Sequence, residues 1–489
     1  MNQKEFFSSR WALIISTLGI AVGTGNIWRF PRIVATNGGG SFLIPWLTFL
    51  FLWSLPLIIS EFAFGKTARK SPFFAFRFFA GNKYGWMGAF VAFVSTAIMF
   101  YYSVVSGWAF YYFYSSLTGN LFDAADHLTY WNNFSSGYLP LLFHFMAIAL
   151  SSAVIYRGIT AGIEKVSRTL VTSLVAILFI LLVRAVTLPG AIEGLKFFFT
   201  PEKEYLLDYR VWLNALTQNA WDTGAGWGLI MTYAIYMKKR EDVTLNGALI
   251  GFGNNSISLL AGMIIFSTVF ALGGDSPLAI ISETGPANTG LTFIYLPSLF
   301  GKMSDYIWLN RIFATLFFMA LSFAALTSLI SMVELAARSL NDLGIERKKS
   351  ILIVGLAGFL FGIPSALSID FFINQDWVWG IALLISGAFI ALAVNKYGVD
   401  KFRKNLLNNP DSDLRIGGWF NVLIKFVIPA EFIVLISWWL FSSTSWDPQW
   451  WHPFHRENLG TCLFQWGIVI ILFIILNRLY NNYKKAGDY

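Results

Sequence analysis

The chain has 489 residues, of which 56% are hydrophobic and only 13% charged, and its mean hydropathy is +0.60. A soluble globular protein carries about 25% charged residues, so this composition excludes a soluble domain and points to a polytopic membrane protein. The net charge of +8 then reads as the basic excess of cytoplasmic loops rather than a nucleic-acid surface.

A membrane helix needs about 20 mostly apolar residues. Several stretches are long enough, and a pass along the chain gives twelve candidate spans: 11–36, 41–65, 88–117, 140–156, 166–186, 212–237, 245–272, 306–340, 351–367, 376–394, 417–441 and 462–476. The opening "MNQKEFFSSR" lacks an apolar core and a small-residue cleavage site, so no cleavable signal is expected. The loop after the second span holds Lys66, Arg69, Lys70, Arg77 and Lys83 and no acid. The loop after the third has Asp123 and Asp126 and no Lys or Arg. Even-numbered spans are therefore expected to end in the cytoplasm, with both termini there, in a plasma (inner) membrane. A single cysteine, Cys462, excludes an intramolecular disulfide. Four histidines with no ligand-spaced cluster offer no catalytic constellation, so an enzyme is not expected.

The first span is unusual. "AVGTGNIWRFPR" puts Gly23, Gly25 and Asn26 inside an apolar run that already contains Gly19. Irregular backbone at membrane depth survives only where it lines a cavity or is buried in protein. A partner lies five spans later in "NAWDTGAGWGLI", with Gly224, Gly226 and Gly228. Such glycines also permit close helix packing. Two Gly-interrupted spans at matching places in two five-helix halves, each with a polar residue inside (Asn26, Asp222), point instead to a secondary transporter built as an inverted repeat.

"GIAVGTGNIWRFPRIVATNGGGSFLIPW" resembles the first-helix signature of the neurotransmitter:sodium symporter family, including its bacterial amino-acid transporters. The resemblance continues in "FYYSVVSGWAFYY", "GAGWGLIMTYAIYM", "TGLTFIYLPSLF" and "AALTSLISMVE". It implies an all-α membrane protein of twelve helices in one transporter domain, 1–489. Two inverted five-helix repeats (11–186 and 212–394) would contain broken helices 1 and 6, and 417–480 would supply helices 11 and 12. It also implies substrate and two sodium ions at mid-membrane. One sodium would take Ala21, Asn26, Asp222 and Asn254. The second would take the carbonyls of Gly19, Val22 and Ala324 with the hydroxyls of Thr327 and Ser328. A half-helix N-terminus suits a carboxylate, and unwound carbonyls suit Na+.

By the same resemblance the substrate would lie among Ala21, Gly23, Gly25, Ile98, Tyr102, Val105, Trp221, Gly224, Trp227, Ser328 and Met332. Gly23 stands where monoamine members carry an Asp, which implies an amino-acid-type site, and Tyr102 matches the tyrosine that binds the carboxylate. An apolar or aromatic side chain fits this set. A betaine-like methylated ammonium is the rival, because two Trp faces can hold it by cation–π contact. A non-transporting sensor or a channel-like member of the fold is a further alternative. The oligomer would be a monomer or a dimer.

Asp222 departs from the family, which usually has Ser or Thr there. The family's anion site maps to Trp46, Gln218, Asp222 and Ser258, with Trp46 in place of a tyrosine. A charge at mid-membrane costs at least about 3 kcal/mol, so Asp222 reads as functional, replacing chloride, which would not be required. Arg29 and Asp376 match the outer gate, with Tyr102 and Trp227 as its aromatic lid. Lys4 and Asp342 match the inner gate, supported by Tyr236, with Lys for Arg losing the bidentate fork. Glu61 matches a glutamate that braces the broken helices.

Overall fold

The computed structural model describes residues 6–487 apart from 125, 286–288 and 411. Among these the chain is helical, with no strand. Ten helices are long and apolar enough to cross a membrane. The two expected spans missing from that set, the first and the sixth, are the two that break.

The first span runs as Arg10–Ala21, Thr24–Ile27 and Arg29–Thr36. At its break Val22 and Gly23 are extended (Gly23 φ −111°, ψ −170°). The Asn26 side chain reaches back to accept from the Gly23 N–H at 2.9 Å, replacing the helical bond lost there. The sixth span runs as Tyr209–Asp222 and Leu229–Ala234. Between them Gly224, Gly226 and Gly228 have φ of +73°, +91° and +74°, which side-chain-bearing residues rarely adopt. The two breaks thus differ: the sixth needs glycine for its backbone, whereas Gly23 is needed for space.

Glu61, fully buried in the second span (Gly40–Ala68), braces the second break. Its two carboxylate oxygens accept from Gly226 N–H (2.7 Å) and Met231 N–H (3.1 Å). These donors have no helical partner because the helix is interrupted.

The helices Gly85–Thr118 and Ile307–Asp342, the third and eighth spans, pack along one another through the core. The half-helix Arg10–Ala21 leans on the fifth, seventh and eighth spans; both halves of the sixth lie against the second, Tyr209–Asp222 also against the tenth and Leu229–Ala234 also against the eighth. Helices outside the expected spans, Pro72–Ala80, His127–Ser135 and Ala191–Phe199, lie in connections. The tenth span, Ile369–Tyr397, starts one turn and more before the expected 376, so Asp376 lies inside a helix rather than at its start.

Candidate functional site

A cavity of about 340 Å³ opens where the two broken spans face each other across the third, eighth and tenth. Of the expected substrate residues, Ala21, Gly23, Gly25, Tyr102, Val105, Trp221, Gly224, Trp227, Ser328 and Met332 line it. Ile98 does not. It lies on the same face as Tyr102 but one turn further along the third span, past the cavity and fully buried in the helix packing.

The Tyr102 hydroxyl accepts from the Thr24 N–H at 3.2 Å and from the Thr24 hydroxyl at 3.3 Å. With both bonds accepted, its own O–H remains to donate. A Cβ at Gly23 would come within 3.1 Å of both the Tyr102 hydroxyl and the Ser328 hydroxyl, while one at Gly25 would meet nothing within 4 Å. Gly23 therefore keeps open a space bordered by two hydroxyls and the unwound backbone. Thr24 itself carries no role in the sequence reading, because a hydroxyl in a broken helix gives no positional signal.

Two groups of oxygens flank that space. In the first, Asn26 Nδ2 donates to Asn254 Oδ1 at 2.9 Å and to Ser258 Oγ at 2.7 Å. The Asn254 amide also sits 2.9 Å from the Asp222 carbonyl and 3.0 Å from the Ala21 carbonyl. With its oxygen toward them, three acceptors converge and a cation satisfies them. Turned over, its NH₂ bonds both carbonyls. In the second group the Ser328 hydroxyl points at the carbonyls of Gly19 (3.4 Å) and Ile20 (3.2 Å). The neighbouring Thr327 hydroxyl bonds within its own helix to Phe323 (3.0 Å) and Ala324 (3.1 Å). A Cβ at Gly19 would meet Thr327 Cβ at 3.1 Å, so glycine allows this approach of the first and eighth spans. Val22 is buried at the end of the same half-helix. Both donor sets are neutral carbonyls, amides and hydroxyls plus one carboxylate residue, the hard oxygen chemistry that suits an alkali cation. Among the described residues no group of three His, Cys, Asp or Glu side chains comes together.

Asp222 ends the upper half of the sixth span and is buried. Its Oδ2 accepts from Gln218 Nε2 at 3.1 Å. Its Oδ1 has no hydrogen-bond partner among the described residues, and neither does Gln218 Oε1 or Trp46 Nε1. The Trp46 indole faces the carboxylate without completing a bond. The four residues expected at an anion site thus lie in two contacts, Asp222 with Gln218 and Ser258 with Asn26, and Asp222 Oδ1 has no hydrogen-bond partner among the described residues.

Arg29 and Asp376 both line the cavity mouth, but among the described residues no ion pair joins them within 4 Å. The Arg29 guanidinium instead stacks over Trp221, 4.6 Å from the ring centroid. Trp221 is thus the ring under Arg29, and Trp227, expected with Tyr102 as the lid, also lines the cavity with its ring 6.2 Å from that of Trp221 at 76°. On the inner side Lys4 lies outside the described residues. Asp342 pairs with Arg338 (2.9 Å) and Lys70 (3.7 Å) and accepts from the Ser71 N–H (2.6 Å). Tyr236 touches two acids' networks: Arg338, the partner of Asp342, lies over its ring 5.8 Å from the centroid, and its hydroxyl donates at 2.5 Å to Glu334, which takes two bonds from Arg347 (3.0 and 2.9 Å). Glu334 is fully buried and was missed, although an acid inside an apolar span is itself a signal.

Comparison with known proteins gives consistent matches. The model of the sodium:neurotransmitter symporter family matches residues 4–135 and 132–482. An uncharacterized sodium-dependent transporter of Methanocaldococcus jannaschii is 30% identical over 450 residues, covering 87% of this chain and 88% of that protein. The sodium- and chloride-dependent glycine transporter 1 of Xenopus laevis is 27% identical over 516 residues, covering 89% of this chain and 77% of that protein. Among solved structures, MhsT in complex with L-phenylalanine superposes with a TM-score of 0.77 at 28% identity, covering 89% of this chain and 99% of that one. Two broken spans around a central cavity, and a family model matched along almost the whole chain, make this protein a member of the sodium:neurotransmitter symporter family.

Proposed function

We propose that this symporter couples two sodium ions to the import of a zwitterionic amino acid with an apolar or aromatic side chain, without a requirement for chloride. The observation that carries the reading is the space at Gly23. A carboxylate there would meet the free proton of Tyr102 and lie beside the oxygen cluster of Ala21, Asn26, Asp222 and Asn254, where a sodium would offset its charge. The second sodium would take the carbonyls of Gly19, Val22 and Ala324 with Thr327 and Ser328. Sodium is here a transported co-substrate, and the protein supplies oxygens whose spacing changes as the two broken spans move.

Cavity lining by Val105, Met332, Trp221 and Trp227 supports an apolar or aromatic side chain. The structural relative bound to L-phenylalanine supports the same class. A betaine held between two indoles is disfavoured, because Arg29 already covers one face of Trp221. Chloride independence is supported by the uncompensated Asp222 Oδ1: a chloride beside it would meet like charge in a low-dielectric site. Loop charge supports cytoplasmic termini in the plasma membrane.

The test is uptake by purified protein in proteoliposomes. An inward sodium gradient should drive accumulation of L-phenylalanine or a similar amino acid, with chloride or with gluconate outside. Accumulation of none of the neutral amino acids under a sodium gradient would overturn the reading.

A further inference from the structure

The tenth span meets the broken sixth span at two glycines, and the upper contact has an unusual shape. A Cβ built on Gly380 would lie 2.0 Å from Trp221 Cζ2, 2.8 Å from Cη2 and 2.9 Å from Cε2. These are the outer atoms of the indole, so the ring occupies the place a side chain at 380 would take. Seven residues on, a Cβ at Gly226 would come within 3.0 Å of Gly387 Cα, so there the two backbones themselves are in contact. The lower contact pins the two helices together. The upper one leaves a slot one indole deep.

The slot sits at the substrate cavity. Gly380 and Trp221 both line it, and Asp376, four residues before Gly380, shares that helix face. Arg29 stacks on the indole at 4.6 Å, so the ring is held between the tenth helix and a guanidinium. Because Trp221 itself lines the cavity, a ring displaced from the slot can move into that space.

We propose that Gly380 is a specificity-determining residue: as the slot that stores the Trp221 indole, it sets how large a substrate side chain the cavity accepts. The inference rests on the amino-acid reading above. A methyl group at 380 evicts the ring into space that a large side chain needs, while a small side chain still fits. A single such steric mismatch in an apolar pocket discriminates by about tenfold or more. Phenylalanine at 221 lacks the outer indole atoms that fill the slot, so it tolerates a methyl group at 380.

The experiment uses the full-length protein in proteoliposomes and reads the ratio of L-phenylalanine to L-alanine uptake. Gly380→Ala should lower that ratio about tenfold, and Trp221→Phe added to Gly380→Ala should restore it. An unchanged ratio in Gly380→Ala overturns the proposal, as does an equal loss for both amino acids that the second substitution leaves in place. If Gly380→Ala fails to fold, rescue of folding by Trp221→Phe supports the slot and its failure overturns it. If the wild type takes up no amino acid, the functional reading fails on its own, and the slot is then tested by a structure of Gly380→Ala: an indole moved toward the cavity supports it, and one still against the tenth helix overturns it.

Discussion

Arg29 lies over the face of Trp221, 4.6 Å from the ring centroid, and forms no ion pair with Asp376 although both line the cavity mouth. A cation–π contact of this kind is worth about 0.5–2 kcal/mol. An ion pair closed over a filled, drier cavity is worth more. If the two residues form an outer gate, the stack would be the place from which Arg29 is drawn to Asp376 when substrate excludes water.

This relationship predicts the effect of Asp376→Asn. Removing the carboxylate leaves the stack intact and weakens the closed state. Sodium-driven uptake should fall about tenfold or more, while sodium binding, read as a sodium-dependent rise in melting temperature, should persist. Normal uptake in Asp376→Asn would show that the pair is not a gate.

The second sodium site is tested by Thr327→Ala with Ser328→Ala. The double change removes the two side-chain oxygens proposed for that site, each a charge-assisted contact of about 1.5–3 kcal/mol when a cation is bound. Apparent sodium affinity should drop about a hundredfold or more, and coupled uptake should be lost. Unchanged sodium dependence would sink the assignment.

Gly23→Ala tests the carboxylate space. The added methyl group would stand 3.1 Å from both Tyr102 and Ser328 hydroxyls, so one of them must shift. Overpacking of this kind costs about 1–3 kcal/mol, so the melting temperature of the sodium-free protein should fall slightly, and substrate affinity should weaken about tenfold or more. Equilibrium binding of labelled amino acid reads the effect; full affinity would place the carboxylate elsewhere.

Asp222→Ser returns the position to the family's usual chemistry. Transport should weaken and what remains should be stimulated by chloride, though Trp46, whose indole N–H makes no hydrogen bond among the described residues, presents its donor differently from a tyrosine. Uptake with chloride against gluconate, in wild type and variant, separates the outcomes. A large loss in the wild type without chloride would mean that Asp222 does not replace the anion.

Glu61→Ala removes the brace on the sixth span. Two buried N–H groups, of Gly226 and Met231, would be left without partners, at about 1–3 kcal/mol each. The melting temperature should fall by several degrees, and Glu61→Gln, which keeps an acceptor for one of the two donors, should recover part of it. Equal losses in the two variants would assign the effect to the charge rather than to hydrogen bonding.

The breaks were legible in the sequence because they are local: glycine runs inside apolar spans have few explanations in a bilayer, where water cannot satisfy a free backbone. Asn26 and Asp222 were legible for the same reason, as polar groups with a cost that only a site repays. Even the sixth break's left-handed glycines could be named from one stretch of chain. What the sequence could not decide was which side chains meet across helices that are distant in the chain. Gly380 stands four residues after Asp376 and looks like any small residue in a membrane helix, until the sixth span lays an indole against it. Trp221 and Trp227 are both plausible lids by composition, and only the rotation of the half-helix Tyr209–Asp222 puts the first of them under Arg29. Ile98 and Tyr102 share a helix face, yet one turn along the axis carries the first past the end of the cavity and into the core. Helical periodicity fixes which residues share a face; how that face is turned is set by packing among twelve spans, a property of the whole assembly and of no single segment.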